Sequence, residues 1–387
     1  MIKLSKTANL LTPSAMQKSL NIPNKHEYIS FALGLPANEA LPLNLLQDSA
    51  KNCNDNSHMQ YSPPLQLLKS QIKRLVQERG INCEENEIFI TSGAQQGISL
   101  LIRLLVDEDS SVLAEQLMYP GFLQAIQSVG AKVIGIPSDY RYGIKLDKLE
   151  NAIKSLQKKP ALIYIVSDGN NPLGLSLNLE NRKKLVSIAT KYEIPILEDD
   201  PYGLLFYEKE QTVALKSLTP ENVCYIGSFS KIIAPALRVG WVIVPKYLLS
   251  KLSILKESSD IDMASFSQRI VSNFITNGHL VSHLALIRNL YKEKRDFMSD
   301  CIEKYLPSRT KYTIPENGIY VWLEFEEQVD TEKLFQKALD RKVIIIPGNS
   351  FSFGGERVAN RCIRLNFSFP SKTQIEQGIK RISNSLR

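Results

Sequence analysis

The stretch Gly227-Ser228-Phe229-Ser230-Lys231-Ile232-Ile233-Ala234-Pro235-Ala236-Leu237-Arg238-Val239-Gly240-Trp241 decides the fold. It follows an apolar, strand-like run, Val223-Cys224-Tyr225-Ile226. A lysine taken at random on a loop is a solvated side chain. Lys231 differs in its company. Two hydroxyls precede it and an arginine, Arg238, follows. Together they make a pocket for a dianion and leave one amine free to attack a carbonyl. A Schiff-base lysine beside a phosphate-bearing aldehyde cofactor needs that setting. Nearby positive charge disfavours an ammonium, so the expectation is a lowered pKa for Lys231, with charge as its cause.

Further strand ends repeat the pattern. Residues 194–198 read as a strand ending in Asp199-Asp200-Pro201-Tyr202-Gly203. Adjacent acids there ordinarily cap a helix or bind a metal. No His or Cys ligand lies nearby, so no metal site is expected. Residues 161–166 form a near-continuous apolar run, as a buried parallel strand should, and lead into Gly169-Asn170-Asn171-Pro172-Leu173-Gly174. Residues 111–115 read as a strand before Tyr119-Pro120-Gly121-Phe122, and 132–137 as another. Residues 87–91 lead through Ser92-Gly93-Ala94 into a helical pattern. Such a small-residue turn points free N–H groups at an anion. Strands thus end at Ser92, Tyr119, Asn171, Asp199 and Ser228, which places a ligand at the carboxyl edge of an open α/β sheet.

After Trp241 the pattern is helical to about residue 306, then alternates like strands over 317–325, 343–348 and 362–368. Arg364 lies inside the last of these. A buried arginine needs a partner, either a structural salt bridge or a bound carboxylate. His279 and His283 share a helix face, with no acid between them and no third ligand, so packing is the expectation. Near the start, residues 14–20 suit a short helix, Ile29-Ser30-Phe31-Ala32-Leu33-Gly34-Leu35-Pro36 ends in a turn, and Tyr61 precedes a Pro-capped helix.

The bulk numbers fit an ordinary soluble globular protein. The chain has 387 residues, 43% hydrophobic and 22% charged. Its net charge of +7 is spread without a basic block, so no nucleic-acid arm is expected. Five scattered cysteines without a Cys-x-x-Cys pair suit free thiols in a reducing compartment. No signal peptide or membrane span is read, and a cytoplasmic location is expected.

These motifs resemble those of fold-type I pyridoxal 5'-phosphate (PLP) enzymes. The likeness runs over roughly residues 30–370. It is strongest to the class I/II aminotransferase branch that includes 2-aminoadipate aminotransferases and the catalytic domains of MocR-type regulators. The resemblance implies an α/β fold with a large domain (45–285) built on a mainly parallel seven-stranded sheet. A small α+β domain (286–387) would pack with an N-terminal segment (1–44). It implies amino transfer between an L-amino acid and a 2-oxo acid by a ping-pong route, with Lys231 as the Schiff-base lysine and proton carrier. Ser92, Gly93, Ala94, Ser228 and Arg238 would hold the phosphate. Tyr119 would stack on the pyridine, Asp199 would pair with its nitrogen, and Asn171 and Tyr202 would bond its phenolic oxygen. Gly34, Asn171 and Arg364 would bind the substrate. A homodimer with composite sites is implied, Tyr61 reaching the partner's phosphate. Gln17 takes the place of an arginine that many 2-aminoadipate enzymes carry, so a long acidic substrate is not specifically expected. Two readings stay open beside transfer: another PLP reaction, such as decarboxylation or β-elimination, and a non-catalytic PLP-binding sensor domain.

Overall fold

The computed structural model describes residues 2–13, 22–208, 212–353 and 357–387. The helix expected over 14–20, with Gln17, lies outside the described residues. In chain order the first strands are β1 (Ile29–Ser30), β2 (Ile88–Thr91), β3 (Ser111–Glu115), β4 (Lys132–Ile136), β5 (Ser138–Asp139) and β6 (Gly143–Ile144). They are followed by β7 (Leu162–Ile165), β8 (Ile196–Asp200), β9 (Val223–Ser228) and β10 (Gly240–Ile243). Every residue of β7, β8, β9 and β10 is buried. Strands covered by helices on both faces read that way, as unbroken apolar runs.

Seven of these strands build one sheet in the order β2-β10-β9-β8-β7-β3-β4, while β5 and β6 pair with each other. Strand β10 is antiparallel to both neighbours, and the remaining pairs are parallel. The crossover helices bury one stripe each. Helix Ala94–Leu105, for example, puts Ile98, Leu101 and Ile102 into the core. Helix Leu179–Lys191 starts where the Asn178 side chain accepts from the Asn181 N–H, a capping contact.

The helical stretch expected after Trp241 resolves into Leu249–Asp260, Ser265–Thr276 and the 27-residue His279–Tyr305. His279 and His283 both turn their rings edge-on to Phe274, at 5.5 and 5.9 Å between centroids, which is packing. The later strands are β11 (Lys311–Tyr312), β12 (Tyr320–Glu324), β13 (Val343–Ile344), β14 (Ile346–Pro347) and β15 (Cys362–Asn366), and all but β13 form a second sheet. Its order is β11-β12-β15-β14, all antiparallel.

The single strand expected over 343–348 is two strands. The chain changes partner at Ile345: β13 pairs in parallel with β1, and β14 pairs with β15. One apolar run thus serves two ladders, and an apolar pattern cannot reveal that switch. Pairing of β1 with β13 ties the segment bearing Gly34 to the C-terminal third. No single helix among the described residues is long and apolar enough to cross a membrane.

Candidate active site

The carboxyl ends of β2, β3, β7, β8 and β9 surround one pocket. Lys231 enters it from the turn after β9. Its Nζ donates to the Gly34 carbonyl at 2.7 Å. Tyr119, Asn171, Asp199, Tyr202, Ser228 and Arg238 share the lining with it, as do Gly34 and Ala94. The Lys231 pKa is lowered, as expected, but burial is the leading cause. The Arg364 and Arg238 charges add to it, and Tyr320 opposes. Charge therefore plays the smaller part.

Asp199 is wholly buried near the end of β8. Its Oδ2 accepts from the Tyr164 hydroxyl at 2.8 Å. Its Oδ1 has no hydrogen-bond partner among the described residues. Burial pushes the carboxyl up to about 7, against the pull of Tyr164 and with a push from Asp200. Tyr164 is held by stacking on Phe122, 3.7 Å between centroids and 8° from parallel. Asp200 faces the other way, accepting from the Tyr225 hydroxyl at 2.8 Å, the Gly203 N–H at 2.7 Å and Arg79 Nε at 3.1 Å. Arg79 also binds Asp168, which Arg182 Nη2 meets at 2.7 Å. This fully buried ionic web fixes the ends of β7 and β8 together. Nothing in the sequence pattern announced it, because Arg79 lies far from both acids along the chain.

The cup opposite is built from backbone. Gly93 caps helix Ala94–Leu105 at φ +78°, and no side chain caps the first turn. A Cβ on Gly93 would collide with Arg238 Nη2. Arg238 itself takes a left-handed conformation, φ 55°, that brings Nη2 within 2.9 Å of the Ser92 carbonyl. Ser92 and Gly93 thus shape the cup's rim through backbone, while Ala94 and Gln95 line it. Gln95 is an addition that the Ser-Gly turn alone did not reveal.

On the facing side, Arg364 is buried between the rings of Tyr320 and Phe351, 4.1 and 4.7 Å from their centroids. It donates to Asn171 Oδ1 at 2.6 Å and to the Ala32 carbonyl, while Nε finds no partner among the described residues. No carboxylate among the described residues neutralises it, so the salt bridge weighed from sequence is not its partner. Gly34 leaves no room for a side chain, since a Cβ there would overlap the Tyr320 hydroxyl. Tyr61 is not brought into this pocket. It is 89% exposed and lines a separate surface cleft with Lys69, Phe89 and Asp262. No group of three or more metal-binding side chains stands together among the described residues.

The residues fit PLP. Asp199 Oδ1 is a buried acceptor lacking a donor, as a pyridinium N–H requires. The Gly93 cup with Arg238 suits a phosphate, and Lys231 is a half-buried amine whose one hydrogen bond among the described residues is to a carbonyl. Fold and pocket together define a fold-type I PLP enzyme.

Residues 33–382 match the model of the aminotransferase class I and II family. The aromatic-amino-acid aminotransferase 1 of Thermococcus litoralis is 32% identical over 97% of this chain and 91% of its own. A Pyrococcus horikoshii kynurenine aminotransferase, solved with PMP, is 31% identical, with a TM-score of 0.92 over 99% of this chain and 96% of that one. The α-aminoadipate aminotransferase of Thermus thermophilus, solved with N-(5'-phosphopyridoxyl)-L-leucine, is 28% identical, with a TM-score of 0.90 over 99% and 97%. The chain belongs to the aminotransferase class I and II family. It is a PLP-dependent aminotransferase, and amino acids are its substrates.

Proposed function

We propose that this pocket transfers an amino group from a neutral, apolar or aromatic L-amino acid to a 2-oxo acid by a ping-pong route. The orphaned Asp199 Oδ1, in one pocket with Lys231, carries the reading. When bound, PLP supplies the aldehyde that accepts the amine and the ring that withdraws electrons from Cα. Lys231 anchors the cofactor. Once displaced, its Nζ would take the proton from the substrate Cα as base and deliver it, as acid, to the carbon that had been the cofactor's aldehyde, C4′. Burial keeps that amine below its ordinary pKa, so the neutral form is accessible. Asp199 would hold a positive ring nitrogen through its unpartnered Oδ1. The Ser92–Ala94 backbone, Ser228 and Arg238 would hold the phosphate, Tyr119 would stack on the ring, and Asn171 and Tyr202 would bond the phenolic oxygen. Arg364 takes the α-carboxylate beside Asn171, next to Gly34, through paired N–H donors.

The substrate class rests on the lining. Leu33, Leu35, Val166 and Pro235 face the pocket. The charged lining groups among the described residues, Asp199, Lys231 and Arg238, already have roles. A side-chain carboxylate would lose its water there without a matching cation. The relatives that act on aromatic amino acids and kynurenine support the reading. We assign the large domain to 45–285, the small domain to 286–387 and an N-terminal segment to 1–44. The working form is a cytoplasmic homodimer.

Single amino acids added to the purified protein test the reaction by absorbance. Transfer predicts loss of the visible band with each accepted amino acid and its return on adding a 2-oxo acid. Borohydride reduction and peptide mapping should place the cofactor on Lys231, and an adduct elsewhere would refute that role. Comparing kcat/KM for leucine, phenylalanine, lysine, glutamate and 2-aminoadipate tests the class. A hundredfold preference for 2-aminoadipate over the neutral amino acids would sink it.

A further inference from the structure

Tyr320 carries the next step. In β12 it stands opposite Asn366, and Trp322 stands opposite Arg364. Side chains two apart share a strand face, so Tyr320 and Arg364 are diagonal neighbours, within reach of a ring and a long side chain. The guanidinium lies 4.1 Å from the centre of the Tyr320 ring. Tyr320 lines the pocket that Lys231 enters, and its hydroxyl is the part that meets the other pocket residues. It lies 3.5 Å from the Tyr202 hydroxyl, a long hydrogen bond. It also presses on Gly34, whose carbonyl accepts from Lys231 Nζ. Amine and phenol therefore touch the same glycine, one at its carbonyl and the other at its Cα side. A buried hydroxyl with only a 3.5 Å contact is poorly satisfied, and phenylalanine would fill the same space without that cost.

We propose that Tyr320 is a positioning residue with two separable parts: its hydroxyl places the Lys231 amine and its ring holds the Arg364 guanidinium. The proposal rests on the roles given above to Lys231 and Arg364. When Lys231 is free of the cofactor, the phenol gives its Nζ a second fixed contact beside the Gly34 carbonyl. The amine then stays aimed at the substrate Cα instead of turning among rotamers. The ring face, meanwhile, keeps Arg364 flat against the Asn171 side. A cation over a ring face gains most where water is absent, as at this buried arginine. Phe351 covers the other face of the same guanidinium.

The two parts separate by substitution. Tyr320→Phe keeps the ring and removes the hydroxyl, whereas Tyr320→Leu removes both. Three readouts apply to the holoenzyme: kcat for phenylalanine, its pH profile, and the Kd of 3-phenylpropionate. That carboxylate has no amine to react, and its binding is read from the visible absorbance. Tyr320→Phe should lower kcat about threefold to tenfold, the span of one neutral hydrogen bond, and leave the Kd within about twofold. A hydroxyl that accepts from the Lys231 ammonium favours that form, so its loss should move the acid limb of kcat to lower pH. Tyr320→Leu should also raise the Kd of 3-phenylpropionate about tenfold. An unchanged kcat and pH profile in Tyr320→Phe overturns the hydroxyl part. Equal Kd values in Tyr320→Phe and Tyr320→Leu overturn the ring part. Arg364→Ala and Lys231→Ala are the controls. If Arg364→Ala leaves the carboxylate's Kd intact, or Lys231→Ala turns over, the underlying roles fail instead.

Discussion

At the scale of the residue, burial decides the chemistry. Asp199 and Arg364 are removed from water and Lys231 partly so, and each is shifted by that removal. Arg364→Ala should raise KM about tenfold to hundredfold, because charge-assisted bonds contribute about 1.5–3 kcal/mol. Cofactor occupancy, read from the absorbance ratio, should not change. Asp199 gives a pH signature. Its carboxyl titrates at about 7 when folded without cofactor, against 3.8 ordinarily. The folded state therefore holds a proton that the unfolded state has lost between those values. This contribution is complete below about pH 4 and is lost as pH rises toward 7, by about 1.4 kcal/mol per unit. Chemical denaturation of cofactor-stripped parent and Asp199→Asn should show it. The parent should lose stability relative to the variant as pH rises through that window. Restoring the cofactor places a cation beside Oδ1, so the relative slope should shrink or reverse. A flat difference in the stripped proteins would mean that Asp199 is ionised when buried.

At the scale of the element, the site is a set of strand ends, and that is why so much of it could be read from sequence. An apolar run stopped by small or polar residues marks a strand end on its own. Lys231, Asp199, Asn171 and Tyr119 all sit at such stops. What escaped reading were contacts between elements. Glu115, last in β3, accepts from Ser138 at 2.8 Å and from Asn170, the neighbour of Asn171. Arg79 reaches from the C-terminal side of helix Gln66–Gln77 to β8. Long-range partners like these leave no local period. Tyr320 escaped too, because an alternating strand gives no sign of which face meets a pocket. Two substitutions test the elements. Gly93→Ala forces a side chain into Arg238 at a positive φ, so PLP should bind more weakly, by about tenfold or more, with the fold retained by circular dichroism. Glu115 is buried and pushed up to about 7 by that burial, with Ser138 pulling it back. A largely protonated acid is mimicked by an amide. Glu115→Gln should therefore stay near parent activity at pH 6, whereas Glu115→Ala should lose stability by about 1–3 kcal/mol by stranding Asn170. If Glu115→Gln is as damaged as Glu115→Ala at pH 6, the acid works as a carboxylate.

At the scale of the whole molecule, one predicted contact lies outside the pocket of a single chain. Tyr61 is 89% exposed, and Ile261 is 67% exposed. The two line one surface cleft with Phe89. Single exposed apolar groups are ordinary, but an aromatic with such neighbours is what an interface would bury. The resemblance gives this tyrosine to the partner's phosphate, so a monomer would be missing part of each site. Sedimentation should therefore give about twice 43.6 kDa at working concentrations. Mass alone does not show a shared site, and mixing does. Lys231→Ala has no transferring amine, and Tyr61→Ala should hold PLP weakly. In a hybrid of the two, Lys231 of one chain faces the intact Tyr61 of the other. One of its two sites is then whole. Co-refolded mixtures should regain activity that neither parent variant has, at up to half the parent's rate per hybrid. If Tyr61 served its own chain's pocket, every hybrid would combine one dead site with one impaired site. Mixing would then restore nothing, and the composite site would be excluded even for a stable dimer.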